Sequence, residues 1–165
     1  MQTFLQLLVD NTSGVLSRVS GLFSRRGYNI ESITAGVTAD PRYTRITIAT
    51  NGDAEILEQI EKQVAKLIDV RDIRILEPEE SVYRELVLIK VKAEKEKRQS
   101  IISLADVFRA KIIDLNKDSV IIELTGDKSK VKAFIEMLED YEILEMARTG
   151  ITGLQRGADK VINLD

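Results

Sequence analysis

The side chains best suited to chemistry in this 165-residue chain gather in one short stretch, Asn-Thr-Ser-Gly at positions 11–14. An apolar run precedes this stretch and apolar residues at helical spacing follow it, so a strand should end and a helix begin here. The first N–H groups of a helix lack intrahelical partners and attract anions, carboxylates included. Asn11, Thr12 or Ser13 could cap these groups, and Gly14 would let a ligand approach the backbone closely. The pattern therefore offers carboxylate binding, although the same residue types are ordinary helix caps.

A second polar position, Asn29, begins the extended segment that follows this helix. A free amino acid is a zwitterion, so burying it requires partners for both of its charges. The helix N–H groups suit the carboxylate, and the amide oxygen of Asn29 or backbone carbonyls suit the ammonium group. The alternative is that Asn29 is a turn residue that tolerates a positive φ.

The composition excludes several other kinds of chemistry. The chain contains no His and no Cys, so it can form no Ser-His-Asp triad, no thiol nucleophile and no Cys/His zinc site. Its net charge of -3 gives no general attraction to nucleic acid. No apolar run approaches the roughly 20 residues that span a bilayer, and the N-terminus lacks the basic start of a signal peptide. We therefore expect a soluble, cytoplasmic protein without a nucleic-acid or membrane partner.

The elements around these positions follow a βαββαβ order over residues 1–77. Residues 3–9 read as a strand buried on both faces, and Val15, Leu16, Val19, Leu22 and Phe23 have helical spacing. Gly27 should end that helix. Two strands, a helix capped by Asp53 and a fourth strand then complete a ferredoxin-like domain.

The second half repeats the same order after a polar boundary at residues 78–83. A strand, a helix, a hairpin around residues 116–118, a helix capped by Asp127 and a final strand fill a second domain, residues 84–165. We expect the glycine-punctuated tail to be partly irregular. The fold class is therefore α+β, with two ferredoxin-like domains. Because such a sheet carries helices on one face, its other face or an edge should pair with a second copy.

Several stretches of the sequence resemble a known family. The stretch NTSGVLSRVSGLFSRRGYNIESI, followed by LEQIEKQVAKLIDV, RELVLIKVKA, FRAKIIDL and ARTGITGLQRG, resembles the regulatory small subunits of acetolactate synthase. The first stretch resembles their N-terminal ACT domain, and the ordered set covers nearly the whole chain.

The resemblance implies a regulatory subunit that is not itself an enzyme. It implies that the chain activates a separate catalytic subunit, which carries thiamine diphosphate, magnesium and FAD, while this chain binds no cofactor. It further implies feedback inhibition by branched-chain amino acids, chiefly valine, with leucine and isoleucine as alternatives. In the family the effector lies between the ACT domains of a homodimer. The implied contacts are Asn11, Gly14, Val15 and Leu16 from one subunit, with Asn29 and Ile30 from the other.

Three other functions compete with this interpretation. A freestanding ACT sensor for a different enzyme would have the same first domain. A ferredoxin-like nucleic-acid binder needs aromatic residues on its central strands, and RITIAT and LVLIKVK contain none. A small enzyme of this fold would need a clustered acid pair or a phosphate loop, and the sequence offers neither.

Overall fold

The computed structural model describes residues 2–158, which form two compact units. The first unit comprises residues 2–82 together with 151–158, and the second comprises residues 83–150. The elements of the first unit, up to the boundary, are β1 (Gln2–Asp10), α1 (Val15–Arg25), β2 (Ile30–Val37), β3 (Tyr43–Asn51), α2 (Ala54–Val64) and β4 (Val70–Leu76). Their antiparallel sheet has the order β2-β3-β1-β4, as a ferredoxin-like βαββαβ domain requires.

The core of the first unit lies between this sheet and its two helices. The central strand β1 is buried from Phe4 to Val9, which confirms that it is covered on both faces. Helix α1 ends at Arg25, and Gly27 follows with a φ of 71°, a left-handed conformation that glycine adopts without strain. Asp53 caps α2 by accepting a hydrogen bond from the N–H of Ile56 at 2.9 Å, as its position predicts.

The second unit repeats this architecture. Its elements are β5 (Ser81–Lys92), whose first two residues belong to the first unit and lie within the predicted boundary, α3 (Lys95–Val107), β6 (Lys111–Leu115), β7 (Ser119–Gly126), α4 (Lys128–Met137) and β8 (Ile143–Arg148). The strand order is β6-β7-β5-β8. Asp127 caps α4 through the N–H of Lys130 at 2.8 Å, and Asn116 closes the β6–β7 hairpin by donating to the carbonyl of Ser119. The predicted fold class, two ferredoxin-like domains, is confirmed.

The tail is partly irregular, contains one short strand, and groups with the first unit. It contains strand β9 (Thr152–Gln155), and just after it the N–H of Arg156 donates to the carbonyl of Glu80, in the same unit, at 2.7 Å. We call residues 151–156 the C-terminal strap. The sequence analysis assigned this segment to the second domain, whereas the structure groups residues 151–158 with the first unit. The predicted segment at residues 159–165 lies outside the described residues.

The strap covers part of the sheet face that was expected to be open. Gln6 in the middle of β1 is only 3% exposed, and its amide donates to the carbonyl of Gly153 at 2.6 Å. The amide oxygen of Gln6 accepts a hydrogen bond from Arg45 at 2.9 Å. Arg74 on β4 donates to the side chain of Gln155 at 3.2 Å. Part of this face is therefore covered by the same chain rather than by a second copy.

Candidate functional site

The entrance of α1 has no side-chain cap. Gly14 occupies the N-cap position with φ 83° and ψ -1°, and no side-chain hydrogen bond caps the helix there. The expectation that Asn11, Thr12 or Ser13 would cap this helix is therefore wrong. The physical reason is that glycine, which tolerates a left-handed conformation, takes the capping position and has no side chain to offer.

The side chain of Asn11 has a different task at this entrance. Its amide nitrogen donates to the carbonyl of Pro41 at 3.0 Å, and its oxygen accepts a hydrogen bond from Thr44 at 3.2 Å. Its backbone N–H donates to the carbonyl of Arg42 at 2.8 Å. Asn11 therefore ties the start of the α1 loop to the connection between β2 and β3, and holds the loop in place.

The next two predicted site residues, Val15 and Leu16, differ in burial. Val15 is buried in the core of the unit, so only its backbone N–H faces the entrance. Leu16 is 48% exposed, although its position in the apolar pattern placed it with the core residues. An exposed leucine beside uncapped N–H groups gives this entrance an apolar surface next to a partial positive charge.

Two ion pairs connect this end of the unit to β4 and to the residue that precedes it. Arg18 donates to Asp69 at 2.6 Å, and the hydrogen bond lowers the pKa of Asp69 below its ordinary value while raising that of Arg18. Arg71 donates twice to Asp10 at 2.7 Å, and that bond raises the pKa of Arg71. The guanidinium of Arg18 lies beside Gly14, so it adds a fixed positive charge at the entrance.

The other half of the predicted site, Asn29 and Ile30, lies at the opposite end of α1. Asn29 is exposed, and its carbonyl accepts a hydrogen bond from the hydroxyl of Thr50 at 2.6 Å. Ile30 is partly buried against the core. The 11 residues of α1 separate Gly14 from this end by about 16 Å. One chain therefore does not bring the two halves together.

Residues that the sequence reasoning missed are Arg18 and Asp69 at the entrance, and Gln6 beneath the strap. The spacing of four residues between Gly14 and Arg18 is the one local signal that Arg18 lies at the helix entrance. The pairing with Asp69 joins residues 51 apart in sequence, which no local pattern indicates.

Residues 2–158 contain neither a metal-binding cluster nor a membrane-spanning helix. No group of three or more acidic side chains is arranged to hold a metal ion. Every helix in this part of the chain is too short or too polar to cross a bilayer.

Comparison with known proteins places these two units in one family. Residues 5–72 match a family described as "AHAS small subunit-like ACT domain", and residues 84–157 match "Small subunit of acetolactate synthase". A probable acetolactate synthase small subunit of Archaeoglobus fulgidus is 49% identical over 97% of this chain and 100% of its own length. The chain belongs to the family of acetolactate synthase small subunits. This family provides the regulatory subunit of that enzyme rather than the catalytic one.

Other relatives agree over the full length of the chain. The acetolactate synthase isozyme 3 small subunit of Escherichia coli is 44% identical over 98% of this chain and 99% of its own. The crystal structure of the acetolactate synthase small subunit of Thermotoga maritima superposes with a TM-score of 0.89 at 43% identity, and covers 96% of this chain and 99% of that one. Both the ACT unit and the second unit are thus part of the family architecture.

Proposed function

We propose that this acetolactate synthase small subunit activates the catalytic subunit and makes it sensitive to feedback inhibition by valine. The proposal places the effector between the ACT units of two copies. The observation that supports it is that the uncapped entrance at Gly14 and the exposed Asn29 before β2 lie at opposite ends of α1. We take each of them as half of the proposed site. Each half is incomplete in a single chain.

The strand β2 supplies the geometry for joining the two halves. It is an edge strand that pairs only with β3 among the strands described, and Val37 near its end is 59% exposed. Ile30 lies opposite Thr50, at the end of the sheet where β1 begins. Val37 lies opposite Thr44, at the end where β1 leads into the α1 entrance.

A second copy related by a two-fold axis would pair its β2 antiparallel to this one. The start of one β2 would then lie beside the end of the other, so Asn29 of one copy would approach the α1 entrance of its partner. This arrangement forms two equivalent sites per dimer, one for each chain. It also covers an edge strand that would otherwise be open to unwanted pairing.

The chemistry of valine fits these two half-sites. Its carboxylate would accept hydrogen bonds from the free N–H groups of Val15 and Leu16, which carry the partial positive charge of the helix end. Its ammonium group would bind the amide oxygen of Asn29 from the other copy. Its isopropyl group would contact Leu16 and Ile30, both apolar and not fully buried. Leucine and isoleucine share the same charged groups and are the alternative effectors.

The reaction itself is assigned to the catalytic subunit, in the cytoplasm, with thiamine diphosphate, magnesium and FAD bound there. This chain would act only by changing the equilibrium between forms of that partner. An effector that binds one arrangement of the ACT dimer better than another shifts the population toward it. The freestanding sensor remains the less supported alternative, because the second unit also matches the small-subunit family.

Three measurements test this proposal. Sedimentation of the isolated protein should show dimers or larger species at micromolar concentration, and calorimetry should find at most one valine per chain. Mixing with the catalytic subunit should raise the rate of acetolactate formation, and valine should then lower it. A monomer that binds valine with full affinity would contradict the shared site, and a valine-insensitive complex would contradict the feedback role.

A further inference from the structure

A groove runs between helix α2 and strand β4 of the ACT unit. It consists of two cavities, of about 450 and 480 Å³, which share Glu58 and Glu61. These volumes lie within the range of roughly 300–1,000 Å³ that ligand pockets have in proteins. We call the two cavities together the α2–β4 groove. Its floor is apolar, and the side chains that provide it are Phe4, Leu57, Ala65, Val70, Ile73 and Ile75.

The backbone edge of β4 is accessible from this groove. β4 is the second edge strand of the sheet, and among the described strands its ladder partner is β1. Four successive residues of β4, Val70–Ile73, line the second cavity. An extended peptide can add to such an edge as a new strand, with main-chain hydrogen bonds giving affinity and side-chain pockets giving specificity.

The first cavity has a strongly acidic lining. Four carboxylate side chains face it and no lysine or arginine does. Two of these acids have local partners, since Asp53 caps α2 and Glu58 pairs with Lys62 at 2.5 Å. Glu61 and Glu77 form no ion pair with any described residue. The cavity therefore complements a cationic side chain attached to an apolar stem.

We propose that the α2–β4 groove binds an extended segment of the catalytic subunit that carries an arginine or lysine among apolar residues. The segment would pair with the edge of β4, insert its cation between Glu61 and Glu77, and place apolar side chains on the floor. A second copy and the catalytic subunit can then occupy the same unit together, because β2 and β4 lie at opposite edges of the sheet. The proposal rests on the partnership with a catalytic subunit, not on the valine site.

A variant with both unpaired acids reversed, Glu61→Lys with Glu77→Lys, tests the groove. The full-length chain is titrated into the catalytic subunit of the same organism, and the concentration that gives half-maximal activation is measured. Association is measured independently by sedimentation of the mixture. We expect the half-activating concentration to rise at least tenfold. Calorimetry with valine alone should give unchanged affinity, because the groove lies at the edge away from β2.

The matched control is Glu79→Lys with Glu139→Lys, which makes the same change of net charge at exposed positions outside the groove. This control should keep the half-activating concentration within twofold. If both double variants weaken association equally, the effect is one of overall charge and the groove is not the docking site. If the groove variant associates normally, the proposal is wrong as well.

The neutral variant, Glu61→Gln with Glu77→Gln, distinguishes loss of binding from misfolding. It removes both charges without adding new ones, and it should weaken association less than the lysine variant while melting like the parent protein. Should the parent protein itself fail to associate, both this proposal and the proposed activation would fall. A normal valine response combined with unaffected association in the lysine variant would contradict the groove alone.

Discussion

Replacing Gly14 by Asp tests whether the entrance of α1 receives a carboxylate or merely starts a helix. The new carboxylate would lie beside the N–H groups that we assign to valine and would compete for them. It would also repel the carboxylate of the ligand. Gly14→Asn is the matched control, because asparagine has almost the same shape and tolerates left-handed backbone better than most residues.

Both variants should lose some stability, because each places a side chain on the left-handed backbone of position 14. A side chain at position 14 must adopt a φ near 83°, which costs an L-residue roughly 1–2 kcal/mol. Its Cβ would lie 2.9 Å from Nη1 of Arg18, so that guanidinium must move, which a flexible side chain can do. Since about 1 kcal/mol shifts the melting temperature of a domain of this size by roughly 4–8 °C, both variants should remain folded at 25 °C.

The negative charge of Asp should give the two variants different affinities for valine. Two like charges about 4 Å apart repel by about 1 kcal/mol in water and about 4 kcal/mol near a protein surface. We therefore expect the Asp variant to bind valine at least about tenfold more weakly than the Asn variant, since a factor of ten corresponds to about 1.4 kcal/mol. Calorimetry measures the two affinities. Rates of the reconstituted complex against valine concentration should show feedback inhibition lost in the Asp variant and activation retained.

Two outcomes would refute this reasoning. An Asp variant with normal valine sensitivity would show that the α1 entrance is only a helix start. Equal loss of binding in the Asp and Asn variants, with equal loss of melting temperature, would assign the effect to backbone strain at Gly14 rather than to a ligand carboxylate.

Three further substitutions give independent checks. Asn29→Ala should weaken valine binding by roughly 1–3 kcal/mol in calorimetry without lowering the melting temperature, because its exposed side chain supports no described contact; unchanged affinity would remove it from the site. Gln6→Leu should lower the free energy of unfolding in urea by about 1–3 kcal/mol, because the buried carbonyl of Gly153 loses its hydrogen-bond donor. An unchanged free energy of unfolding would mean that water replaces the amide as donor. Because the pKa of Asp69 is lowered from 3.8, its pairing with Arg18 stabilises the fold above about pH 4, and this stabilisation is lost as the pH falls through the lowered pKa. Arg18→Ala should therefore make the free energy of unfolding less dependent on pH in that acid range only. A difference in stability between the variant and the parent protein that is the same at every pH would contradict the pairing.

Local signals were sufficient for most of the secondary structure. Asp53 and Asp127 were placed at helix starts because a carboxylate before an apolar helical pattern is a good N-cap, and both carboxylates accept the expected N–H groups. The β6–β7 hairpin followed from turn residues between two apolar runs. Each of these features depends on residues that are neighbours in the sequence.

The features that sequence reasoning missed depend on distant residues. Gln6 stands in an apolar run and meets Gly153, 147 positions away, so no window of sequence could pair them. Strand β9 was not located within the partly irregular tail, because its four residues, with one glycine among them, are too few for alternation to be visible. The capping of α1 was misjudged for a different reason. Three good capping residues precede Gly14, but the left-handed conformation at Gly14 decides which residue occupies the cap.

The placement of two proposed partners at opposite edges of one sheet has a thermodynamic consequence for regulation. If valine binds across two copies, it stabilises the dimer, and dilution that dissociates the dimer must also weaken valine binding. If the catalytic subunit binds at β4 and valine changes the affinity of that binding, the catalytic subunit must change the affinity for valine by the same factor. This coupling free energy is typically about 1–3 kcal/mol. The central strand β1 lies between the two edges, and its end leads into the α1 entrance, so the same element contacts both halves of the sheet. Feedback inhibition then requires no direct contact between effector and catalytic subunit, because both act on the arrangement of one shared domain.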